Sequence, residues 1–323
     1  MDFVTALNGP YMRYSCVLFT SILETQLATN DIYFHVLHSS LTNEQIEAID
    51  SQISRYANGH VSFIWIDKED FSDFKIVDPM WSLETNYRLK APDVLPLEVE
   101  RFLYLDIDTI CLDRLDELFE YDFKGAHLLG REDGNQPPFS DSRDNIFSRW
   151  IADNSLKYIC AGVVLWNLKE IRKEISFDSY IRAAESINYS MRATDQDLIN
   201  LVHQGHIDYF SDAFRYGVFA KIAYTKGYNY QMAKKETAII HYVGQKPWQG
   251  QYIHYDVERI WWEYAKLTPF YVELMEEYLE AGFADSIVYD SYASLASENQ
   301  NLKEQLQKSV ELNQKFLAIL QKQ

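Results

Sequence analysis

The sequence predicts an α/β protein, a mainly parallel sheet flanked by helices with a C-terminal helical extension. Three observations predict it. Short apolar runs alternate with amphipathic stretches through the first half of the chain, the pattern of βαβ units. The stretch FLYL at 102–105 is apolar throughout, as a strand buried on both faces must be. The 323 residues are 47% hydrophobic and 24% charged, enough for a full core and unlike disordered, collagen-like or disulfide-scaffold chains.

The elements follow in order. Apolar runs at 3–7, 33–37 and 61–66 read as strands, and 12–26 and 42–56 between them as helices. FLYLDID at 102–108 reads as a central strand that meets two carboxylates at its end. The Gly, Pro and Asp density of 131–145 marks a surface loop. Two later strands are expected at 162–166 and 238–242, with aromatic-rich helices and loops around 149–158 and 177–203. The dense aromatics of 248–278 suggest helices that pack back onto the sheet. No internal repeat is evident. From about residue 285 the composition turns to Gln, Asn, Ser, Glu and Lys. There Leu295, Leu302, Leu306, Phe316 and Leu320 stand at near-heptad spacing, with Ser309 and Asn313 on the same stripe. This is a helix that either docks on its own domain or self-associates.

Thirty Lys and Arg against 48 Asp and Glu leave a net charge of −18, a field that repels phosphate backbones and anionic lipid surfaces. Nucleic acid is therefore not an expected partner, although a local basic pocket for one small anion is compatible with that charge. Cys16, Cys111 and Cys160 are widely spaced with no CxxC, which argues for a reducing compartment. The first residues lack a basic-then-apolar leader, and no stretch has the roughly 20 apolar residues of a membrane span. The expectation is a cytoplasmic protein without integral membrane contact. The stretch 285–323 carries little net sign, which disfavours direct membrane docking.

Chemistry concentrates at strand ends. Asp106 and Asp108, at i and i+2 where a strand breaks into a turn, can converge on one divalent cation that keeps positions open for a diphosphate. LDIDTI also invites a haloacid-dehalogenase-type phosphatase reading, with Asp106 as nucleophile and Asp108 as general acid, but that loop belongs after a first strand. HYVGQKPW at 241–248 joins an imidazole, a turn glycine and a lysine. His241 can complete a metal shell, a mixed nitrogen and oxygen set that suits Mn²⁺ better than Mg²⁺, and Lys246 can neutralise a phosphate. Cys160, Ala161 and Gly162 open a strand with small residues that let a ligand approach the backbone. Asp195, Gln196 and Asp197 open a helix, DQDLINLV, with Asp195 as its expected N-cap.

Taken in order, YRLK at 87–90, FLYLDID at 102–108, AGVVLWNLKEIR at 161–172, DQDLIN at 195–200 and HYVGQKPW at 241–248 resemble glycosyltransferase family 8. Bacterial lipooligosaccharide galactosyltransferases and glycogenin typify that family. The resemblance spans 1 to roughly 265 and implies a GT-A (Rossmann-like) catalytic domain over 1–265 with a helical extension over 266–323. It implies a retaining, metal-dependent hexosyltransferase that moves galactose or glucose from a UDP-sugar to a glycan or glycoprotein acceptor. On the matching positions, Asp106, Asp108 and His241 would bind Mn²⁺, with Mg²⁺ as the substitute, and the backbone at Ile107 would contact the nucleoside. Tyr11 would stack on uracil and Ala6 touch the base edge, while Arg88 would reach the sugar and phosphate region. Ala161 and Gly162 would border the sugar, Asp195 would bind its hydroxyls, Gln196 would face the developing charge, and Gly244 and Lys246 would hold the diphosphate.

The chain departs from the family pattern in two places. Asn8, Gly9 and Pro10 precede Tyr11 where Asp-x-Asn is usual; Asn8 can still pair with an imide edge, but Pro10 offers no donor. Cys160 replaces the usual Asn, and a thiol is a weaker partner for a sugar hydroxyl. A second reading follows from these: a catalytically weakened UDP-sugar binder whose C-terminal helix recruits a partner, either a second copy or another transferase.

Overall fold

The structure, a computed structural model, describes residues 1–74, 82–133, 157–189, 191, 193–249, 255–284 and 297–310. Ten strands lie among them: β1 Asp2–Ala6, β2 Ile32–His38, β3 Gly59–Trp65, β4 Phe102–Leu105, β5 Thr109–Cys111, β6 Leu128–Glu132, β7 Ile159–Trp166, β8 Ile207–Tyr209, β9 Tyr216–Phe219 and β10 Ile239–His241. Seven form one sheet in the order β3-β2-β1-β4-β7-β6-β8. β1, β2, β3 and β4 run parallel, as do β6 and β8, and β7 runs antiparallel to both its neighbours. The mixed α/β architecture is thus the expected one, with a single reversed strand. Of the 131–145 loop, only 131–133 fall among the described residues.

Alternation along β4 explains its central place. Phe102 and Tyr104 join the hydrophobic cluster of one sheet face, and Leu103 and Leu105 join that of the other, as the two-residue period of a strand requires. Helix α1, Met12–Thr25, fills the second face with Cys16, Leu18, Phe19 and Ile22. Helix α2, Asn43–Ile53, starts at a capping box in which the Thr42 hydroxyl accepts from the Gln45 N–H and the Gln45 carbonyl oxygen accepts from the Thr42 N–H. Helices α3, Phe177–Ser186, and α4, Asp195–Val202, cover the first face.

β10 is not part of the seven-stranded sheet: it pairs antiparallel with β5 and parallel with β9 in a separate three-stranded sheet. Helix α5, Glu258–Ala265, packs against α1, with the Tyr14 and Trp261 ring centroids 6.3 Å apart, and the Tyr242 hydroxyl, just past β10, donates to the Val257 carbonyl at the start of the helix at 2.8 Å. All three cysteines are buried and free. No helix among the described residues is long and apolar enough to cross a membrane. The chain divides into two compact units, one comprising Met1–Pro247 with His254–Val272, the other Trp248–Ile253 with Glu273–Gln323.

Behind α4 lies a buried histidine cluster. His203, just past the helix end, accepts from or donates to the Tyr180 hydroxyl through Nε2 at 2.6 Å, and its Nδ1 lies 3.1 Å from the His127 Nδ1. His127 stacks on His206 with ring centroids 4.4 Å apart. One proton between two Nδ1 atoms makes a hydrogen bond and two make a repulsion, so the two rings cannot both be protonated. Burial, with His127 and His206 adding to it, pushes the His203 imidazole well below its ordinary value. A histidine with a depressed folded-state value stabilises the fold above its unfolded value of about 6.5 and loses that contribution as pH falls below it. Denaturant melts at stepwise lower pH are expected to lose stability from this site by up to about 1.4 kcal/mol per pH unit below that point. His203→Gln is expected to flatten that part of the profile relative to wild type; an unchanged slope would mean the cluster is not the titrating group.

Candidate functional site

The crossing between the two sheets builds the site. β4 ends at Leu105, and the chain turns through Asp106, Ile107 and Asp108 into β5. The turn is closed at its base by the Thr109 amide and hydroxyl, which both donate to the Asp106 carbonyl, at 3.1 and 2.7 Å. Register then brings in the imidazole: His241 of β10 sits opposite Thr109 of β5, and the Tyr242 amide donates to the Asp108 carbonyl at 2.8 Å. His241 Nε2 lies 3.2 Å from Asp108 Oδ1 and 3.8 Å from Asp106 Oδ2.

Ligand atoms of Asp106, Asp108 and His241 all lie within 4.8 Å of one another. Two carboxylates and an imidazole are a donor set for a divalent cation of the Mn²⁺ type. Gly162 of β7 forms the wall of the cluster. A Cβ there would stand 2.2 Å from His241 Cε1 and 2.5 Å from Asp106 Oδ2, so only a bare backbone leaves the three ligands together. The residues therefore fit a cation.

Charge around the cluster is balanced from both sides. Burial raises the Asp108 carboxyl, but the Lys246 ammonium and the His241 imidazole outweigh it and hold the group well below the usual range. Lys246 Nζ donates to Asp108 Oδ2 and to the Tyr242 carbonyl. On the other side stands Arg88, 2% exposed, its guanidinium 3.9 Å above the Tyr104 ring. Its Nη2 donates to Asp106 Oδ1 at 2.9 Å, its Nη1 to the Ala161 carbonyl at 2.6 Å, and its Nε to the Thr85 carbonyl at 2.9 Å. Asp195 Oδ2 lies 2.9 Å from the same Nε without receiving a hydrogen bond. Burial lifts the Asp195 carboxyl to about 6, against the pull of Arg88 and the Thr194 hydroxyl.

Helix α4 is tied to β7 by its side chains. Gln196 and Asn200, one turn apart, face the strand: Gln196 Oε1 accepts from the Ala161 amide at 3.0 Å, and Asn200 accepts from the Ile159 amide and donates to the Ile159 carbonyl, at 2.8 and 2.9 Å. Gln196 Nε2 donates to Asp133 Oδ2 at 3.0 Å and to the Tyr158 hydroxyl at 3.2 Å. Asp197 accepts from Tyr158 and from the Ala193 amide. The N-cap differs from the sequence expectation: Thr194 occupies it, at φ 46°, ψ −124°, and Asp195 is the first helical residue. A β-branched residue at positive φ is strained, and here it turns Asp195 inward, where the Thr194 hydroxyl donates to Asp195 Oδ1 at 2.8 Å.

The remaining expected residues rim this centre. Ala6 ends β1 and is buried; Tyr11 is 38% exposed and near enough to Lys246 to act on its charge. Asn8 donates through Nδ2 to Glu84 Oε2 at 3.3 Å, and its buried Oδ1 has no hydrogen-bond partner. Gly244 adopts φ +88°, with nothing within 4 Å of where a Cβ would be, so backbone conformation and not space requires glycine. Cys160 Sγ lies 3.9 Å from His241 Nδ1, on the ring nitrogen turned away from the carboxylates.

Several residues at the site carry no signal in the sequence. Glu84, Tyr158, Asp133 and Asn200 are ordinary in type and spacing, and only contacts reveal them. Arg131 is another: it is 8% exposed, its guanidinium lies 3.9 Å over the Phe219 ring, and its Nε and Nη1 have no hydrogen-bond partner. Phe219 in turn stands edge-on to His241, with ring centroids 5.6 Å apart.

The model of "Glycosyl transferase family 8" matches residues 3–251. The chain belongs to that family. Membership sets aside the phosphatase reading of LDIDTI. Among relatives, the chain is 26% identical over 251 residues to a lipopolysaccharide 1,2-glucosyltransferase of Escherichia coli, covering 75% of this chain and 71% of that one. It is 24% identical over 255 residues to the glycosyltransferase GlyF of Streptococcus pneumoniae, covering 79% and 59%. Among solved structures, the galactosyltransferase LgtC in complex with donor and acceptor sugar analogs superposes with a TM-score of 0.68 at 25% identity, covering 83% of this chain and 96% of that one. The GT-A architecture of this family 8 chain accounts for both the seven-stranded sheet and the small one beside it.

Gly162→Ala is expected to weaken Mn²⁺ binding, read by calorimetric titration, at least about tenfold while leaving the overall melt in place. Unchanged affinity would mean that the three ligand side chains separate freely and that the bare wall is not what holds them.

Proposed function

We propose that this family 8 chain is a retaining transferase that moves glucose or galactose from a UDP-sugar to a saccharide or glycoprotein acceptor, with Mn²⁺ as cofactor and Mg²⁺ as its substitute. The observation that carries the proposal is the convergence of Asp106, Asp108 and His241 from two sheets, beside Lys246. The names of its relatives support a hexosyl donor: a lipopolysaccharide 1,2-glucosyltransferase and a galactosyltransferase that holds donor and acceptor sugar analogs. The domain assignment belongs to the same proposal, with catalysis in 1–265 and the extension in 266–323.

Asp106, Asp108 and His241 would hold a divalent cation, which would supply positive charge against a departing diphosphate. Lys246 adds a second charge on the same side and exchanges its Asp108 partner for a phosphate oxygen when donor binds. Tyr11 stacks on the uracil, Ala6 and Asn8 meet the base edge, the Asn8 oxygen having no internal partner, and the backbone at Ile107 contacts the nucleoside. Ala161 and Gly162 form the floor under the sugar, and Asp195, with one carboxylate oxygen free of hydrogen bonds, receives its hydroxyls. Arg88 positions Asp106 and Asp195 relative to that floor. Gly244 lets the loop after β10 close on the diphosphate.

Retention is assigned to attack on the same face within an ion pair. Gln196 lies on the face where oxocarbenium charge develops, but a carboxamide is a poor nucleophile and this one is fixed by the Ala161 amide, Asp133 and Tyr158. Its oxygen stabilises charge from a fixed position and forms no bond.

The test is donor turnover. Purified protein with UDP-glucose, UDP-galactose and UDP-N-acetylglucosamine, and with simple sugars as acceptors, is expected to release UDP from one hexose donor with Mn²⁺ and to stop on chelation. Asp108→Asn is expected to lower turnover on the order of a hundredfold or more. Gln196→Glu that accumulates a glycosyl-protein adduct would move the mechanism to a covalent route. UDP that binds with Mn²⁺ but is never released from any donor would instead support the weakened binder, with Cys160 as the first position to revert to Asn.

A further inference from the structure

Arg131 brings a positive charge into the core beside the site, and no described residue pairs with it. It stands on β6 where the pairing with β7 slips, between Gly130 opposite Val164 and Glu132 opposite Ile159. An irregularity of this kind re-aims a side chain. Here the guanidinium carbon comes to rest 3.9 Å over the Phe219 ring on β9. The residue is 8% exposed, and neither Nε nor Nη1 has a hydrogen-bond partner. Burial pushes the guanidinium below its ordinary value, and Cys160, Asp133 and Glu132 pull against that without a hydrogen bond or ion pair to it.

An arginine keeps its charge in a protein, and a buried charge without a partner is costly enough to need an explanation. The other buried guanidinium of the site shows the ordinary condition: Arg88 has Asp106, Asp195 and two carbonyls around it. Stacking on Phe219 fixes the plane of the Arg131 fork and leaves its in-plane N–H groups for an oxyanion, the geometry that suits a carboxylate or a phosphate. Phe219 stands edge-on to His241, so one ring separates this fork from the Asp106, Asp108 and His241 cluster. Lys246 answers to Asp108, Asp106 and Tyr11, and Arg131 to Cys160, Asp133 and Glu132. The two cations thus attend different ends of the site, Lys246 the diphosphate end and Arg131 the Cys160 end.

We propose that Arg131 receives an anionic group of the acceptor, a carboxylate or a phosphate, so that this chain glycosylates an acidic saccharide in preference to a neutral one. The inference rests on the transferase reading above. In that reading the diphosphate has Lys246 and the cation, and the Asp195 carboxylate that takes the donor sugar's hydroxyls would repel an acidic donor. The carboxylates near Arg131 do not fill its fork: Asp133 accepts from Gln196 Nε2, and Glu132 is exposed, where water and salt screen it. An arriving oxyanion therefore displaces no internal partner.

Calorimetric titration of the full chain with Mn²⁺ and UDP tests this with glucose, glucuronate and glucose 6-phosphate as probes. At least one acidic sugar is expected to bind about tenfold tighter than glucose, and which one responds tells a carboxylate from a phosphate. Arg131→Gln is expected to abolish the preference and Arg131→Lys to keep part of it, since the charge remains and the fork is lost. Arg131→Met is expected to raise the melting temperature by roughly 2 °C, because an apolar chain of similar reach replaces an unpartnered buried charge. A lowered melt with an unchanged preference would make Arg131 a structural pin and overturn the proposal. Equal binding of the three sugars would overturn it, as would a preference that survives Arg131→Gln and is lost in Asp108→Asn, which puts the anion on the metal cluster. UDP-glucuronate turned over faster than UDP-glucose, with Arg131→Gln reversing the order, would move the guanidinium to the donor and overturn the acceptor assignment. UDP release from UDP-glucose or UDP-galactose is read separately: release without an acidic preference sinks this inference alone, and an acidic preference without release sinks the transferase reading.

Discussion

One buried guanidinium holds the centre of this protein together. Arg88 reaches Asp106 at the end of β4, the Ala161 carbonyl on β7 and the neighbourhood of Asp195 on α4, three elements far apart in the chain. Burial disfavours its charge, and the two carboxylates outweigh that and keep it protonated. Removing one side of such a buried set leaves an uncompensated charge, at a cost of about 3–5 kcal/mol. The position of Asp106 is therefore set from behind by Arg88 and from the front by its neighbours Asp108 and His241. The Tyr104 ring beneath the guanidinium adds a face that needs no hydrogen bond.

The second constraint is the seam between the two sheets. β4 and β5 are separated by only three residues, yet they belong to different sheets, and the turn between them is where the carboxylates project. His241 arrives there because β10 pairs with β5 and not with the large sheet. Lys246 follows five residues on, in the turn after the same strand. A strand that brings an imidazole to the two carboxylates can thus stay short, since the register of three residue pairs fixes where its end lies. The strained Thr194 makes the same kind of contribution on the opposite wall, storing backbone strain to aim a carboxylate.

Much of this was legible in the chain. The alternation of runs named β1, α1, β2, α2 and β3 in order, and FLYLDID placed Asp106 and Asp108 at a strand end. Five ordered motifs pointed to the family, and the family model matches over 3–251. The reversal of β7 and the separation of β10 were not legible, because a strand's hydrophobic pattern has the same period in either direction and in either sheet. Asp195 was expected to cap its helix since Asp favours that position; the tertiary need for an inward carboxylate places Thr194 there instead.

What the sequence determined by itself is the set of local facts that depend on neighbours along the chain: where strands and helices fall, which residue types stand at their ends, and the heptad series of the tail. Tertiary structure alone decided which of those ends meet. Arg88 with Asp195, Gly162 with His241, Gln196 with Asp133 and Arg131 with Phe219 are contacts between separate elements. Each depends on strand order and register, and those are chosen by how the two sheets bury their faces together, a property of the whole chain that no window of it contains.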